Sequence, residues 1–339
     1  MKYLHLGNVD KFTIEYLSFI KKNFILKEHL LVAIRVDIAP RDSIKESIVT
    51  LSYWKLILQY FKADKIFVHG MFSLRIIIFL YLIGMVRNKN IYWLLWGGDL
   101  YTKNLDPKTC KWRVKEFFRK KIIAKINYVL CLIPGDFDNL KQWYKTDAKY
   151  INTMQYPNLL SNPVNSSLNS DHCVTNIQVG NSATLENNHI QLIDILSSLQ
   201  LNGITIYVPL TYGDLKYRNE IIDYAIRKLP NHFVPLVEFM DRGKYNNFLT
   251  TIDVGIFGHE RQQGLGNIIT LLSIGRQVFL NKKSPVYDYL LKNGFDILTI
   301  EDISISNFSG VRNINNMKLS NSLFNEVNLI SQWNCILKN

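Results

Sequence analysis

One pattern runs through most of the chain. A short, almost continuous apolar run is followed by a longer segment whose apolar residues recur at helical spacing, and the pair then repeats. The apolar runs fall at 3–6, 30–36, 65–68, 91–96 and 128–133, and again at 176–179, 204–208, 233–237, 253–257, 277–280 and 296–300. Continuous runs of this kind suit strands of a parallel sheet covered on both faces. The intervening segments, such as 12–24 and 43–61, read as helices. Strict alternation of the two predicts an α/β fold with doubly wound sheets. The alternation breaks once, at 157–170, where P-N-L-L-S-N-P-V-N-S-S-L-N-S is dense in Pro, Asn and Ser and reads as a linker. With 339 residues, the chain also exceeds what one hydrophobic core usually holds. The expectation is two Rossmann-like domains facing a central cleft, at 1–160 and 171–322, followed by a C-terminal helix at 323–339.

The formal net charge of +12 calls for an anionic partner: nucleic acid, a phosphate-bearing ligand or an anionic membrane. No recognisable nucleic-acid motif is present, so nucleic acid is not expected. Cys110, Cys131, Cys173 and Cys335 are far apart and form no paired spacing, as expected of thiols in a reducing compartment. The start of the chain carries no secretory-leader pattern. The longest apolar run, 76–86, is shorter than the roughly 20 residues that span a bilayer and reads as a buried helix. Membrane contact is therefore expected to be peripheral.

Ligands of open α/β sheets sit at the carboxyl ends of strands, so polar and glycine residues just after the apolar runs are the ones to read. In the second half, Gly180, Asn181 and Ser182 follow a strand directly. Tyr212 follows the next, and Phe239 offers a stacking surface after the third. Glu260-Arg261-Gln262-Gln263-Gly264-Leu265-Gly266-Asn267 follows the strand at 253–257 and opens an apolar helix. Backbone N–H groups at a helix start bind anions, and Arg261 adds a charged fork suited to phosphate. No G-K-[ST] follows, so this is not a Walker loop. Arg261, Gln262, Gln263, Gly264, Gly266 and Asn267 are the expected phosphate-binding loop, with Glu260 a further candidate beside it. In the first half, His69, Asp99 and Asp10 all end strands. Each is a candidate catalytic base, with Asp99 first because two glycines precede it; a satisfied core histidine and turn caps are the structural alternatives. Asp136-Phe137-Asp138 resembles a metal-binding Asp-x-Asp pair, but Asp136 follows Pro-Gly and reads better as a helix N-cap. No zinc spacing is present.

Taken in order, H-G-x-F at His69, W-G-x-D-L-Y at Trp96, V-G-N-S with N-x-H at 179–189, V-P-x-x-Y at Val208 and R-Q-Q-G-x-G at Arg261 resemble glycosyltransferase family 56. The likeness runs from the first strand to Asn281 and Pro285. It implies a GT-B fold, a metal-independent and inverting transfer without cofactor, and a TDP-sugar donor in the second domain. It also implies a 4-amino-4,6-dideoxy sugar such as Fuc4NAc and an undecaprenyl-diphosphate-linked oligosaccharide acceptor, as in enterobacterial common antigen or O-antigen synthesis. The place of action would be the cytoplasmic face of the bacterial inner membrane. A non-catalytic nucleotide-sugar-binding module is the alternative reading.

Such an acceptor would require docking on an anionic membrane surface. Lys108, Lys111, Lys115 and Arg119 recur at spacings of three, four and four, which places them on one helical face, with Trp112 beside it. That face is the expected dock, acting through charge.

Overall fold

The computed structural model describes residues 2–50, 52–84, 90–104, 109–161 and 174–338. These residues form two compact units. The first comprises Met1–Asn158 with Glu326–Asn339, and the second Leu159–Asn325.

The first unit holds seven parallel strands: β1 (Tyr3–Val9), β2 (His29–Val36), β3 (Ile48–Thr50), β4 (Lys65–His69), β5 (Asn90–Leu94), β6 (Tyr128–Cys131) and β7 (Lys149–Asn152). Their order is β3-β2-β1-β4-β5-β6-β7. The second unit holds six parallel strands: β8 (Asn176–Val179), β9 (Thr205–Pro209), β10 (Phe233–Leu236), β11 (Val254–Phe257), β12 (Gln277–Leu280) and β13 (Leu298–Thr299). Their order is β10-β9-β8-β11-β12-β13. Both sheets start in the middle, build outward to one side, and then reverse. The reversal falls between β1 and β4 in one unit and between β8 and β11 in the other. Strands on either side of such a switch point diverge at their carboxyl ends and leave room for a ligand.

Two strands escape the apolar pattern. The helix expected at 43–61 is divided into a short helix at Asp42–Lys45, then β3, then a helix at Tyr53–Lys62. The β-branched trio Ile48-Val49-Thr50 pairs with Leu31, Val32 and Ala33 of β2 instead of continuing a helix. The far-edge strand β7 is half polar and gives no continuous run. Of the linker expected at 157–170, Pro157–Leu159 forms a 3-10 turn, and 162–170 lie outside the described residues.

The chain end also differs from the single helix expected at 323–339. Two helices form, at Ile314–Leu323 and Glu326–Lys338, and the second belongs to the first unit. Trp333 is fully buried there and donates its indole N–H to the Gln155 carbonyl at 3.0 Å. The buried Lys65 ammonium caps the same helix by donating to the carbonyls of Ile336 and Leu337 at 2.7 and 2.9 Å. The apolar run at 76–86 lies largely in a helix at Leu74–Gly84. Among the described residues, no helix is long and apolar enough to cross a membrane.

Candidate active site

In the second unit, the two loops at the switch point are tied to each other. Gly180 ends β8 with φ 68°, and an added Cβ would meet His189 Nε2 at 2.6 Å and Asn187 Oδ1 at 2.9 Å. Asn187 organises the loop: its Oδ1 accepts from the Asn181 N–H at 3.1 Å, and its amide donates to the Ser182 carbonyl and Thr184 Oγ1, each at 2.9 Å. From the loop after β11, Gln263 Nε2 donates to Ser182 Oγ and Thr184 Oγ1, each at 3.0 Å. Gly264 caps the helix Leu265–Ser273 in the left-handed region, φ 62°, with Gly266 in its first turn. The first N–H groups of such a helix have no intrahelical acceptor and carry its positive dipole end.

The polar groups gathered here are not used up. Arg261 is 16 % exposed and ion-pairs with Glu186 at 3.3 Å. The amide oxygens of Asn181, Gln262 and Gln263 are buried without a hydrogen-bond partner among the described residues. Unsatisfied buried acceptors cost about 1–3 kcal/mol each, so these three oxygens are candidates to accept from a ligand. Deeper in the unit, Asn267 donates to the Tyr245 hydroxyl at 2.9 Å, which places it as a support. Glu260 is exposed and pairs with Lys283 at 3.1 Å. Tyr212 and Phe239, 49 % and 68 % exposed, stand edge to face with ring centroids 6.4 Å apart. Thr184 and Glu186 carry no signal in the sequence, and Asn187 appears there only within the N-x-H string; the fold brings all three against the Arg261 loop.

In the first unit the three candidate bases differ in burial and in hydrogen bonding. Asp99 has no exposed surface. Its Oδ2 accepts from the Met71 N–H at 2.6 Å and the Trp93 indole at 2.8 Å, and its Oδ1 accepts from the Trp96 N–H at 2.9 Å. Burial pushes it up to about 6, against the pull of those donors and of Arg119. Asp99 is therefore a tie that holds the ends of β4 and β5 together and is not a group open to an acceptor. His69 is also buried, and both ring nitrogens are engaged. Nδ1 meets the Tyr156 hydroxyl at 2.6 Å, and Nε2 meets His5 Nδ1 at 3.0 Å. The row continues from His5 Nε2 to His29 Nδ1 at 2.9 Å. Burial lowers His69 to about 3 and His29 to about 4, so the row is neutral near pH 7.

Asp10 differs. It caps the helix Lys11–Asn23 through Oδ1, which accepts from the N–H groups of Phe12 and Thr13 at 2.9 Å. Its Oδ2 takes no hydrogen bond among the described residues, and the side chain is partly exposed at the carboxyl end of β1. Of the three candidates, it alone keeps a carboxylate oxygen available beside the switch point.

The family model described as 4-alpha-L-fucosyltransferase, glycosyl transferase group 56, matches residues 49–339. The chain belongs to glycosyltransferase group 56. Solved structures agree with this group 56 transferase in fold. Anabaena Alr3699/HepE in complex with UDP and glucose aligns with TM-score 0.71 at 13 % identity over 100 % of both chains. Sucrose-phosphate synthase from Thermosynechococcus elongatus aligns with TM-score 0.68 at 11 % identity, over 100 % of this chain and 98 % of that one. The trehalose 6-phosphate synthase of Burkholderia multivorans gives TM-score 0.64 at 8 % identity, over 99 % and 95 % of the two chains. The fold of the group 56 transferase is GT-B.

Two further expectations change. The helix after β6, Pro134–Trp143, is entered through Ile133, so Asp136 sits in its first turn and not at its cap. It is buried and accepts from the Tyr101 hydroxyl at 3.0 Å. The basic helix of the transferase, Cys110–Ile123, does not present one continuous charged face. Lys111 is exposed and Lys115 half-buried, but Arg119 has no exposed surface. Arg119 pairs with the buried Glu116 at 2.9 Å and donates to the Asp99 carbonyl and the Tyr144 hydroxyl. A helix packed against a sheet must bury one side, and here the spacing of four carries Arg119 inward with Glu116 as its counter-charge. Trp112 donates to the Thr102 carbonyl at 2.9 Å, which holds its ring against the protein. Lys108 lies outside the described residues.

Proposed function

We propose that the enzyme moves a sugar from a nucleoside diphosphate to a lipid-linked acceptor, with the donor in the second unit and the acceptor base in the first. The observation that carries the donor assignment is the pair of tied loops at the β8/β11 switch point. A diphosphate would lie on the start of the helix Leu265–Ser273, with Arg261 neutralising it. Sugar or ribose hydroxyls would donate to the orphaned amide oxygens of Asn181, Gln262 and Gln263. The exposed Tyr212 and Phe239 would flank the base. Glu186, which now holds Arg261, would be exchanged for phosphate as the donor enters. The donor is read as a TDP-linked 4-amino-4,6-dideoxy sugar of the Fuc4NAc type, and the acceptor as an undecaprenyl-diphosphate-linked oligosaccharide of a surface polysaccharide. These finer assignments rest on the motif strings.

An inverting transfer removes a proton from the acceptor hydroxyl as it attacks the anomeric carbon and the nucleoside diphosphate leaves. We assign the proton to Asp10 Oδ2 on the grounds of its availability. Asp10→Asn is a clean test, because asparagine caps a helix about as well as aspartate but is not a base. Turnover should fall by about 10²–10⁴ while donor affinity and the unfolding midpoint stay near wild type. Near-normal turnover would remove Asp10 from the chemistry. Transfer assays with TDP-, UDP- and GDP-sugars would identify the donor, and Arg261→Ala should weaken nucleotide binding at least tenfold. Activity should persist in EDTA; full loss there would overturn the metal-independent reading.

A further inference from the structure

The first unit contains a groove of about 1000 Å³ that the donor and base assignments do not use. Its apolar wall includes Ile34, Ile57, Phe72, Ile78, Phe79 and Leu82, contributed by β2, the helix Tyr53–Lys62, the segment after β4 and the helix Leu74–Gly84. Three further lining residues are cations: Arg75, Lys111 and Lys115. None of the three ion-pairs with a carboxylate among the described residues. The fourth lining cation, Arg35, is paired with Asp37 at 2.9 Å.

The groove has a direction. Helices that connect parallel strands run back against them, so each begins near the carboxyl edge of the sheet. Arg75 is the second residue of the helix Leu74–Gly84, and Lys111 and Lys115 lie in the first half of the helix Cys110–Ile123. All three unpaired cations therefore gather toward the carboxyl edge, where Asp10 also stands. Leu82 and Ile83, near the other end of their helix, line the groove about 10 Å further away at ~1.5 Å per residue. Lys115 is half-buried, and burial with the charges of Arg119 and Lys111 holds its ammonium below the usual lysine range. An anion placed there would relieve that crowding.

We propose that this groove seats the lipid part of the acceptor, with a hydrocarbon chain along Ile57, Ile78 and Leu82 and a phosphate or diphosphate head against Arg75, Lys111 and Lys115. The chemistry it fits is a single amphiphile: a concave apolar trough closed at one end by cations that have no ion-pair partner among the described residues. A bilayer surface would be met by a convex or flat patch with its cations spread around the rim. The proposal rests on the lipid-linked acceptor reading and gives it a place on the molecule. It also sets the direction in which the head, and any sugar on it, approaches Asp10.

The test uses the full chain with farnesyl diphosphate as probe, followed by quenching of tryptophan fluorescence. Farnesyl diphosphate should bind at least tenfold more tightly than either inorganic pyrophosphate or farnesol. The triple change Arg75→Gln, Lys111→Gln, Lys115→Gln should weaken it at least tenfold. Leu82→Ser, at a residue 59 % exposed and so tolerant of change, should weaken farnesyl diphosphate but not pyrophosphate. Nucleotide affinity should be unchanged in all variants. Absence of farnesyl diphosphate binding by protein that binds nucleotide, or equal affinity in the triple variant, would overturn the proposal. So would phosphatidylglycerol vesicles free of polyprenyl lipid displacing the probe as well as farnesyl diphosphate itself, since the groove would then belong to the bulk bilayer. Transfer to a lipid-linked acceptor that is indifferent to the triple change would leave the acceptor reading standing and the groove unassigned. Transfer only to a water-soluble glycan would instead remove the acceptor reading.

Discussion

Replacing Arg119 by Met should cost the first unit about 3–5 kcal/mol, the range for stripping one partner from a buried ion pair. The structure sets out the loss. The guanidinium has no exposed surface, and it answers the buried Glu116 carboxylate, the Asp99 and Leu100 carbonyls and the Tyr144 hydroxyl at once. Met fills much of the same volume but leaves a buried carboxylate facing no cation. Glu116→Leu should also be costly, by leaving the charge of Arg119 buried. The double change Arg119→Met, Glu116→Leu should be less damaging than the two singles together, by at least about 2 kcal/mol, because it removes both charges. Denaturant unfolding followed by tryptophan fluorescence is suited to this, since all six tryptophans, at 54, 93, 96, 112, 143 and 333, lie in the first unit. Additive single effects, or a near-neutral Arg119→Met, would refute the reasoning. Loss of vesicle binding by a stably folded Arg119→Met would restore the residue to a docking role.

Gly180→Ala combines a left-handed backbone cost of about 1–2 kcal/mol with a Cβ driven into His189 and Asn187, so nucleotide affinity should fall at least tenfold while the fluorescence-detected unfolding midpoint holds. Asp99→Asn should act mainly on stability: an amide NH₂ must face at least one of three N–H donors, costing about 1.5–3 kcal/mol, and residual turnover should track the folded fraction. His29 and His69 have folded pKa values below the unfolded 6.5, at about 4 and about 3. Their contribution is complete above pH 6.5 and drains away as pH falls toward those values, by about 3 kcal/mol for His29 at ~1.4 kcal/mol per unit. Asp99, raised to about 6, runs the other way, contributing below about pH 4 and losing that contribution as pH rises through 6. The net expectation is a first-unit midpoint lower at pH 4.5 than at pH 7, with His29→Asn flattening the fall; a flat wild-type profile would contradict it.

Much of the architecture was legible because parallel strands buried on both faces leave an apolar signature that local chemistry cannot easily imitate. Where that signature weakens the reading failed, at β3 with three residues and at the half-polar edge strand β7. The polar loops after β8 and β11 were legible for the same reason, since Gly180 and the Arg261–Asn267 segment follow strands directly. The surroundings of Asp99 were not. Two glycines before Asp99 make it look unshielded in the sequence, yet three N–H groups, from Met71, Trp93 and Trp96, close on the carboxylate. Helical spacing likewise put Arg119 on one face with Lys111 and Lys115, but which side of a helix meets the sheet depends on its partner. Nothing local to Arg119 announces the Tyr144 hydroxyl or the Asp99 carbonyl.

The helix Glu326–Lys338 has a bearing on how the protein is made. Trp333 completes a core whose other members were synthesised long before it, and its hydrogen-bond partner Gln155 lies 178 positions earlier in the chain. At translation rates of ~5–20 residues per second, the first sheet must wait roughly 10–40 s after Gln155 is added before its last side chain exists. The second unit is encoded wholly within that interval, so it can close while its predecessor is still missing a wall. A nascent chain of this design therefore matures out of order, and until its final helix arrives the earlier sheet carries an open apolar surface for chaperones to guard.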